Sequence, residues 1–355
     1  MNEIDNQTEP VLTPQAQPQG RGESFSLIRQ GRVSNDITKM TAQRGRQYKY
    51  NPGSKTAAVS AVKRERQLFS FNANTGEATL SSPDGVTTLT IKDFAGTKGL
   101  GVADLQLFDA ITVRATETGR REVRITLEEF MEMRKLTNRK EAKKQAIDAI
   151  DLFVGMKMKG REQRGNEVIA YGVVPITGKG FVSRSGIITY AFNVDFYKIF
   201  SKCPVMPYPR ELLAVNGNKN PNAYFFGRKI AEHKNMNRGR PTEDVIAVQT
   251  LLEATQLLPS IGEVMKGNRN VRARIIEPFE RDMNALSWIS WEYLHRGGKP
   301  LTDDERAKMD YDGFASLKVK ILWHTYTDNI TERIAQREAV EELSLKGNKT
   351  RRRKK

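Results

Sequence analysis

Hydrophobic and polar residues follow two different periods along the chain, and each change of period marks a predicted element. Residues 68–82, LFSFNANTGEATLSS, alternate with a period of two on both sides of NTG, which is typical of a short β-hairpin. From residue 102 to about residue 116, VADLQLFDAITVRAT, apolar residues recur at helical spacing. Leu105 and Phe108 fall on one face, so this segment is predicted to be a helix that packs into the core.

The elements that follow come in an order that predicts the fold. EVRIT (122–126) is a predicted strand, LEEFMEMRKL (127–136) a short helix, and RKEAKKQAIDAIDLF a longer helix after the turn TN. VGMKMKGRE and EVIAYGVVPI are predicted strands joined by a charged, glycine-containing loop, and GIITYAFNVDFYKIF is a further strand. Strand, helix, turn, helix, strand, basic loop and strand is the order of a winged helix, a helix-turn-helix with a β-hairpin wing.

A second set of elements repeats this order after residues 203–222, which are dense in Pro, Gly and Asn and predict a domain boundary. Its helices are predicted over 222–237 and 248–258, in PSIGEVM, and in a long basic segment over 266–286. WISWEYL and SLKVKILWHTY are predicted strands on either side of a long polar loop. The predicted fold class is therefore α+β with two tandem winged-helix domains, over 66–203 and 204–326. A flexible, disordered basic arm is predicted over 1–65, and a charged helix with a basic tail over 327–355.

The charge of the chain points to a polyanionic partner. Its 355 residues include 58 Lys and Arg against 42 Asp and Glu, for a formal net charge of +16. Such a field favours nucleic acid or an anionic membrane surface. The sequence has no apolar run long enough to span a bilayer, and its polar, acidic start does not resemble a signal peptide. With a single cysteine, Cys203, we expect a cytoplasmic protein without disulfides, a cysteine-rich zinc site or a membrane partner.

The longer helix of the first set combines an apolar stripe with a basic start. Asn138 is a good N-cap, and Glu141 stands at the spacing of a capping box. Small residues would let this helix approach a neighbour closely. The stripe consists of Ala142, Ala146, Ala149, Ile150 and Phe153.

Basic residues are concentrated in the first two turns of this helix. A recognition helix needs that gradient, because its N-terminal part enters the major groove. An ordinary solvated helix face would carry the same lysines, but the position after a short helix and a turn favours contact with DNA. The basic loop of the next predicted hairpin would then be a wing. The candidate DNA-binding residues of the first set are Asn138, Arg139, Lys140, Lys143, Lys144, Arg161 and Arg164.

The basic segment of the second set is richer in arginine. Its apolar face includes Phe279 and Met283, and Pro278 stands within it. A proline inside a helix removes a backbone donor and clashes with the preceding turn, so either the helix kinks or a new helix starts at Pro278. Arginine binds guanine edges and phosphates equally well, so the sequence does not assign a base to any of them. The candidates are Lys266, Asn268, Arg269, Arg272, Arg274 and Arg281.

Two segments resemble plasmid replication initiators of the Rep/RepA-like, two-winged-helix, iteron-binding class. RARIIEPFERDMNAL (272–286) is similar to the stretch where that family places basic residues before two aliphatics, a polar residue and a proline. YPRELLAVNGNKNPNAYFFGRKIAEHKNMN (208–237) resembles the entry into the family's second winged helix, and the resemblance covers roughly residues 100–326.

The resemblance implies sequence-specific binding of double-stranded DNA at repeated origin sites, with the two winged helices in successive major grooves. It further implies distortion of nearby DNA and recruitment of host machinery, with the host replicative helicase or initiator as a partner. Many members of the family bind origin repeats as monomers and repress their own promoter as dimers, so a homodimer is a further expected partner.

Enzymatic interpretations find little support in the sequence. A DNA-nicking initiator needs a close histidine pair for a metal, and His233, His295 and His324 lie far apart. GTKGLG and TGKG do not match a phosphate-binding loop. We therefore expect no catalytic activity, metal or cofactor. The alternatives are a winged-helix transcriptional regulator without a replication role and a packaging protein that binds without sequence preference.

Overall fold

The computed structural model describes most of the chain between residues 101 and 324, with gaps at 165–166, 256–257, 260–263 and 265–269. It also describes residues 25–29, 37–38, 68–72, 74–75, 77–81, 87–91, 332 and 336. These residues form a mixed α+β fold with small antiparallel sheets. The charged helix and tail predicted over 327–355 lie almost entirely outside the described residues.

The first half of the chain contributes nine strands and four helices to the described structure. They are β1 (Phe25–Arg29), β2 (Leu68–Asn72), β3 (Glu77–Ser81), β4 (Thr87–Ile91), α1 (Val102–Thr118), β5 (Glu122–Thr126), α2 (Leu127–Arg134), α3 (Arg139–Gly155), β6 (Lys157–Arg164), β7 (Glu167–Pro175), β8 (Thr177–Val182), β9 (Ile187–Phe192) and α4 (Val194–Phe200). The predicted hairpin around NTG is confirmed as β2 and β3, EVRIT as β5, and the core helix as α1.

The second half contributes the remaining described elements. They are β10 (Val205–Pro209), the 3-10 helix Arg210–Ala214, α5 (Ala223–Met236), β11 (Val245–Ala247), α6 (Val248–Ala254), the π-helical turn Arg272–Ile276, α7 (Glu277–Asn284), β12 (Ile289–Leu294), α8 (Asp303–Ala307), α9 (Tyr311–Ser316) and β13 (Lys318–Trp323). The buried apolar residues of both halves belong to one continuous core.

Helix α1 lies at the centre of that core. The sequence predicted one apolar face, but every residue from Leu105 to Val113 is buried, because β1, α3 and the 3-10 helix pack around it. Its polar side chains therefore need internal partners. The Gln106 amide nitrogen donates to the carbonyl oxygens of Leu212 at 2.7 Å and Val215 at 2.9 Å.

Strand β1 contradicts the prediction of a flexible arm at Phe25–Arg29, whereas most of the rest of residues 1–65 lies outside the described residues. It pairs antiparallel with β10, and all residues of both strands are buried. Arg29 donates from its guanidinium to the Cys203 carbonyl at 2.8 Å and from its backbone to Thr116 Oγ1 at 2.9 Å. The apolar residues of FSLIR drive this burial, and the segment predicted as a domain boundary supplies the partner strand.

The first small sheet differs from the prediction in the strands that form it. β6 and β7 form the predicted hairpin, but they extend β2, β3 and β4 into a five-stranded sheet. β5 pairs instead with β9, and β9 with β8, in the order β5-β9-β8. β8 was missed because its sequence, TGKGFV, contains two glycines, which are unfavourable in strands.

The segment GIITYAFNVDFYKIF was predicted as one strand, but the structure divides it into β9 and α4. The Asn193 side chain accepts hydrogen bonds from the backbone N–H groups of Asp195 at 2.9 Å and Phe196 at 3.4 Å. This N-cap ends the strand and starts a helix, and FNVD was the signal for it.

The second set repeats the order of the first, except that β6 and β7 have no counterpart in it and α8 and α9 lie between its last two strands. Helix α5 is followed by β11, α6, α7, β12 and β13, and the strands pair in the order β11-β13-β12. In both sheets the last strand lies between the first strand and the middle one. The predicted long polar loop contains α8 and α9, whose N-caps are Thr302, in a capping box with Glu305, and Asp310.

A buried ion pair joins the two sets. Asp109 on α1 pairs with Arg228 on α5, and both side chains are almost fully buried. The Asp109 carboxylate also accepts from the hydroxyls of Tyr208 at 2.9 Å and Tyr224 at 2.5 Å. Burial, and then the nearby carboxylate, raise the pKa of both tyrosines, so they remain donors. Burial alone would lower the pKa of Arg228, but Asp109 raises it overall.

Replacing Asp109 with Asn should destabilise the protein strongly, because Arg228 would keep a buried charge without a counter-ion. We expect a loss of about 3–5 kcal/mol in the free energy of unfolding, measured by urea denaturation. The matched control is Asp195→Asn, which breaks the exposed ion pair with Lys198 and should cost about 1 kcal/mol or less. Equal losses in the two variants would contradict the role of the buried pair.

Candidate nucleic-acid interface

The position of α3 follows from its capped start and its narrow apolar stripe. Asn138 is the N-cap as predicted, and its side chain accepts from the Glu141 N–H at 3.1 Å. All members of the predicted stripe are buried. A Cβ at Gly180 on β8 would lie 2.9 Å from Ile150 Cγ2, so the glycine lets helix and sheet approach closely. The sheet therefore fixes where the basic end of α3 points.

The basic residues at the start of α3 lie at the surface. Lys140 and Lys144 are exposed. Arg139 forms an exposed ion pair with Glu128, a pair of the kind that competes weakly with other partners. The Lys143 ammonium donates to the Arg184 carbonyl at 3.3 Å, which ties the helix to the turn between β8 and β9. The positive end of the helix dipole adds to this cationic surface.

That turn brings a further cation to the site, which the sequence analysis missed. The Gly186 N–H donates to the Ser183 carbonyl at 3.1 Å, and Gly186 has φ of 89°, a conformation that favours glycine. The hydroxyls of Ser183 and Ser185 lie 2.8 Å apart. Arg184 is exposed at the tip. The sequence SRSG is typical of a turn, but the strand that precedes it, β8, was not predicted, so the hairpin was not recognised.

The predicted wing residues Arg161 and Arg164 lie on β6, in the sheet that does not contain β5. Their side chains lie outside the described residues, so their contact with DNA stays a prediction. The hairpin that shares a sheet with β5 is β8–β9, and its turn lies beside α3.

The second basic segment contains a π-helical turn where the sequence predicted a kink or a helix start. The Glu277 N–H donates to the Arg272 carbonyl, five residues back, and α7 begins at Glu277 with Pro278 in its first turn. The wider turn leaves room for the proline ring, which would clash with the carbonyl of Arg274 in an α-helix. The backbone stays helical on both sides of this turn, so the structure has a π turn within one helix and not a new helix that starts at Pro278.

The exposed arginines of this segment already have carboxylate partners. Arg272 Nε lies 3.4 Å from a Glu277 oxygen, and its Nη1 donates to the Arg306 carbonyl at 3.3 Å. Arg281 Nε lies 2.9 Å from Asp282 Oδ1, on a carboxylate that is fully buried. Arg274 is partly buried. Lys266, Asn268 and Arg269 lie outside the described residues.

An acidic helix, α8, lies next to this segment. Its Arg306 pairs with Glu280 on α7 at 2.7 Å. Hydrogen bonds from the Thr302 backbone and hydroxyl, and from His295, lower the pKa of Glu305 to about 2, so Glu305 is ionised at neutral pH. The acidic residues here reduce the net positive charge of the second site relative to the start of α3.

Among the described residues, no cluster of three or more His, Cys, Asp or Glu side chains could hold a metal ion. Within the same part of the chain, no helix combines the length and the apolar character needed to cross a bilayer.

Solved structures that are similar to this chain include two of domains 2 and 3 of RctB. The first has a TM-score of 0.41 and 12% identity, and covers 70% of this chain and 91% of that chain. The second has a TM-score of 0.40 and 9% identity, and covers 74% and 92%. No family model and no curated protein matches the chain. These similarities are too low to assign it to a family.

Proposed function

We propose that this chain binds double-stranded DNA in a sequence-specific manner through two tandem winged-helix units, and initiates replication at repeated origin sites. The observation that carries the proposal is the repeated order of elements. In each set a helix, a strand and two helices precede the two strands that complete a three-stranded sheet, and each sheet places its last strand between the other two. The first set also contains the β6–β7 hairpin, and the second contains α8 and α9. The shared order is the arrangement expected of a winged helix.

The first unit supports contact with a duplex through two neighbouring cationic elements. Lys140 and Lys144 are exposed in the first two turns of α3, the part of a recognition helix that enters the major groove. Arg184 lies at the tip of the β8–β9 turn beside that helix, held there through Lys143. A wing in this position would contact the phosphates or the minor groove next to the site of α3.

The buried pair of Asp109 and Arg228 supports a fixed distance between the two units. Because the pair and its tyrosine donors are in the shared core, the helices of both units are held in one orientation. A rigid pair of helices fits one site that presents two successive major grooves. It would read that site at a set spacing and in one direction, which suits direct repeats.

A replication role is supported by the resemblance of residues 208–237 and 272–286 to plasmid initiators, with the host helicase or initiator as a further partner in a bacterial cytoplasm. The alternative is a transcriptional regulator with the same DNA-binding units. DNase footprinting of the purified protein on DNA flanking its gene tests the proposal. Directly repeated protected sites are expected. A single palindromic site would favour the regulator, and the absence of discrete protection would refute sequence-specific binding.

Neutralising Lys140 and Lys144 together should flatten the salt dependence of duplex binding, because each phosphate contact releases counter-ions. If both lysines meet phosphates, the slope of log affinity against log salt should fall by about 1.8. Fluorescence anisotropy over a range of salt concentrations measures it. Lys202→Ala with Lys219→Ala removes the same charge at other exposed positions and should leave the slope nearly unchanged. If the α3 substitutions leave the slope unchanged, these lysines do not contact phosphates and lie on an ordinary solvated helix face.

The two candidate wings can be separated by single substitutions. Arg184→Ala should weaken duplex binding more than Arg161→Ala, because Arg184 lies beside α3 whereas β6 belongs to another sheet. We expect a loss of about fivefold or more for Arg184→Ala, the order of one lost charge-assisted contact. Anisotropy at one fixed salt concentration compares them. A larger loss of duplex affinity for Arg161→Ala would indicate that the β6–β7 hairpin is the wing.

A further inference from the structure

On the side opposite α3, the outer face of sheet β5-β9-β8 has a row of small residues between two rows of larger ones, and we call this surface the groove. Thr189 and Ala191 on the central strand are small and lie at its floor, only 4% and 2% exposed. Larger side chains stand on both flanking strands, in register with these two residues. Since neighbouring strands are about 4.8 Å apart, the two rims are about 10 Å apart. The floor itself is covered by these rims, so a ligand would contact the exposed side chains of the rims.

An exposed aromatic ring stands on one rim of the groove. Phe181 on β8 pairs with Thr189 and is 42% exposed, which is unusual for so large an apolar side chain. The Lys179 ammonium lies 5.1 Å from the centre of the ring. Ile187, at the end of the same face, is 37% exposed. An exposed ring among cations is the combination with which proteins stack unpaired bases.

The charge of the groove fits a polyanion rather than an apolar protein segment. Arg124 on β5 pairs with Thr189, which pairs with Phe181, so Arg124 lies across the floor from the ring, and Lys179 is the neighbouring cation on the opposite rim. Glu122 is the acidic residue of this face, and its carboxylate is 3.5 Å from the Arg124 guanidinium. The cations outnumber this one carboxylate, so the face has a net positive charge.

We propose that this groove binds single-stranded nucleic acid, with one base stacked on Phe181 and the phosphates held by Lys179 and Arg124. A duplex cannot stack a base on the Phe181 ring, because its base faces are already stacked within the helix. The groove lies on the opposite side of the sheet from α3, so this surface is separate from the proposed duplex site. The proposal does not require sequence-specific duplex binding to be correct.

Binding of a fluorescein-labelled oligo-dT of about 12 nucleotides to the full chain, followed by anisotropy, tests the proposal. Phe181→Ala should weaken this binding about 5- to 100-fold, the loss expected for one stacked base. Phe181→Trp should retain it. Ile199→Ala, which truncates an exposed side chain on α4, should leave it unchanged. The affinity for a duplex of matched length should stay the same in all these variants.

A second variant tests the groove without altering the ring. Glu122→Gln removes the acid beside Arg124 and should tighten oligo-dT binding at low salt, with a smaller effect as salt rises. Oligo-dT affinity that responds neither to Phe181→Ala nor to Glu122→Gln overturns the proposal. A change of oligomeric state in Phe181→Ala with unchanged oligo-dT affinity also overturns it and makes the groove a protein interface. Loss of duplex footprints with intact oligo-dT binding would count against the proposed function alone.

Discussion

The ion pair between Asp109 and Arg228 is the constraint on which the arrangement of the protein depends. Removing two charges from water is costly, and this cost is offset only when every partner is in place. Here the carboxylate receives the guanidinium and two tyrosine hydroxyls, from residues on α5 and β10. If the two sets of elements separated, the Asp109 carboxylate would lose its ion pair with the guanidinium and its hydrogen bonds from the two hydroxyls. A single packed unit is therefore favoured over two independent domains joined by a linker.

The periodicity of the sequence predicted the elements better than their pairing. EVRIT, the helix over 102–116 and the capped helix after Asn138 were found because their apolar spacing and caps are local features. Strand β8 was not predicted because Gly178 and Gly180 lack the side chains that mark a strand. The missing side chain of Gly180 is also what lets Ile150 of α3 approach the sheet. The partner of β5 could not be deduced, because two hairpins of similar character follow α3.

The candidate site was predicted in part for a similar reason. The spacing that exposes Lys140 and Lys144 is local and could be deduced from the stripe on the opposite face of α3. The surroundings of Arg272 depend on folding, because Glu277 approaches it across the π turn and the Arg306 carbonyl comes from α8. Arg281 pairs with its neighbour Asp282, whose buried carboxylate is held by Asn222. The sequence made these arginines candidate DNA contacts without assigning a base to either of them. In the structure, an arginine of this segment must exchange an internal partner for DNA.

The pairing of β1 with β10 also has a consequence for the order of folding. Arg210 Nε donates to Ser26 Oγ at 2.7 Å, between residues 184 positions apart in the chain. A contact of this separation costs considerable loop-closure entropy and forms late. During synthesis, the apolar strand FSLIR emerges long before its partner. It must remain without that partner until more than half of the chain has been made, and in this interval it is open to aggregation or to capture by a chaperone.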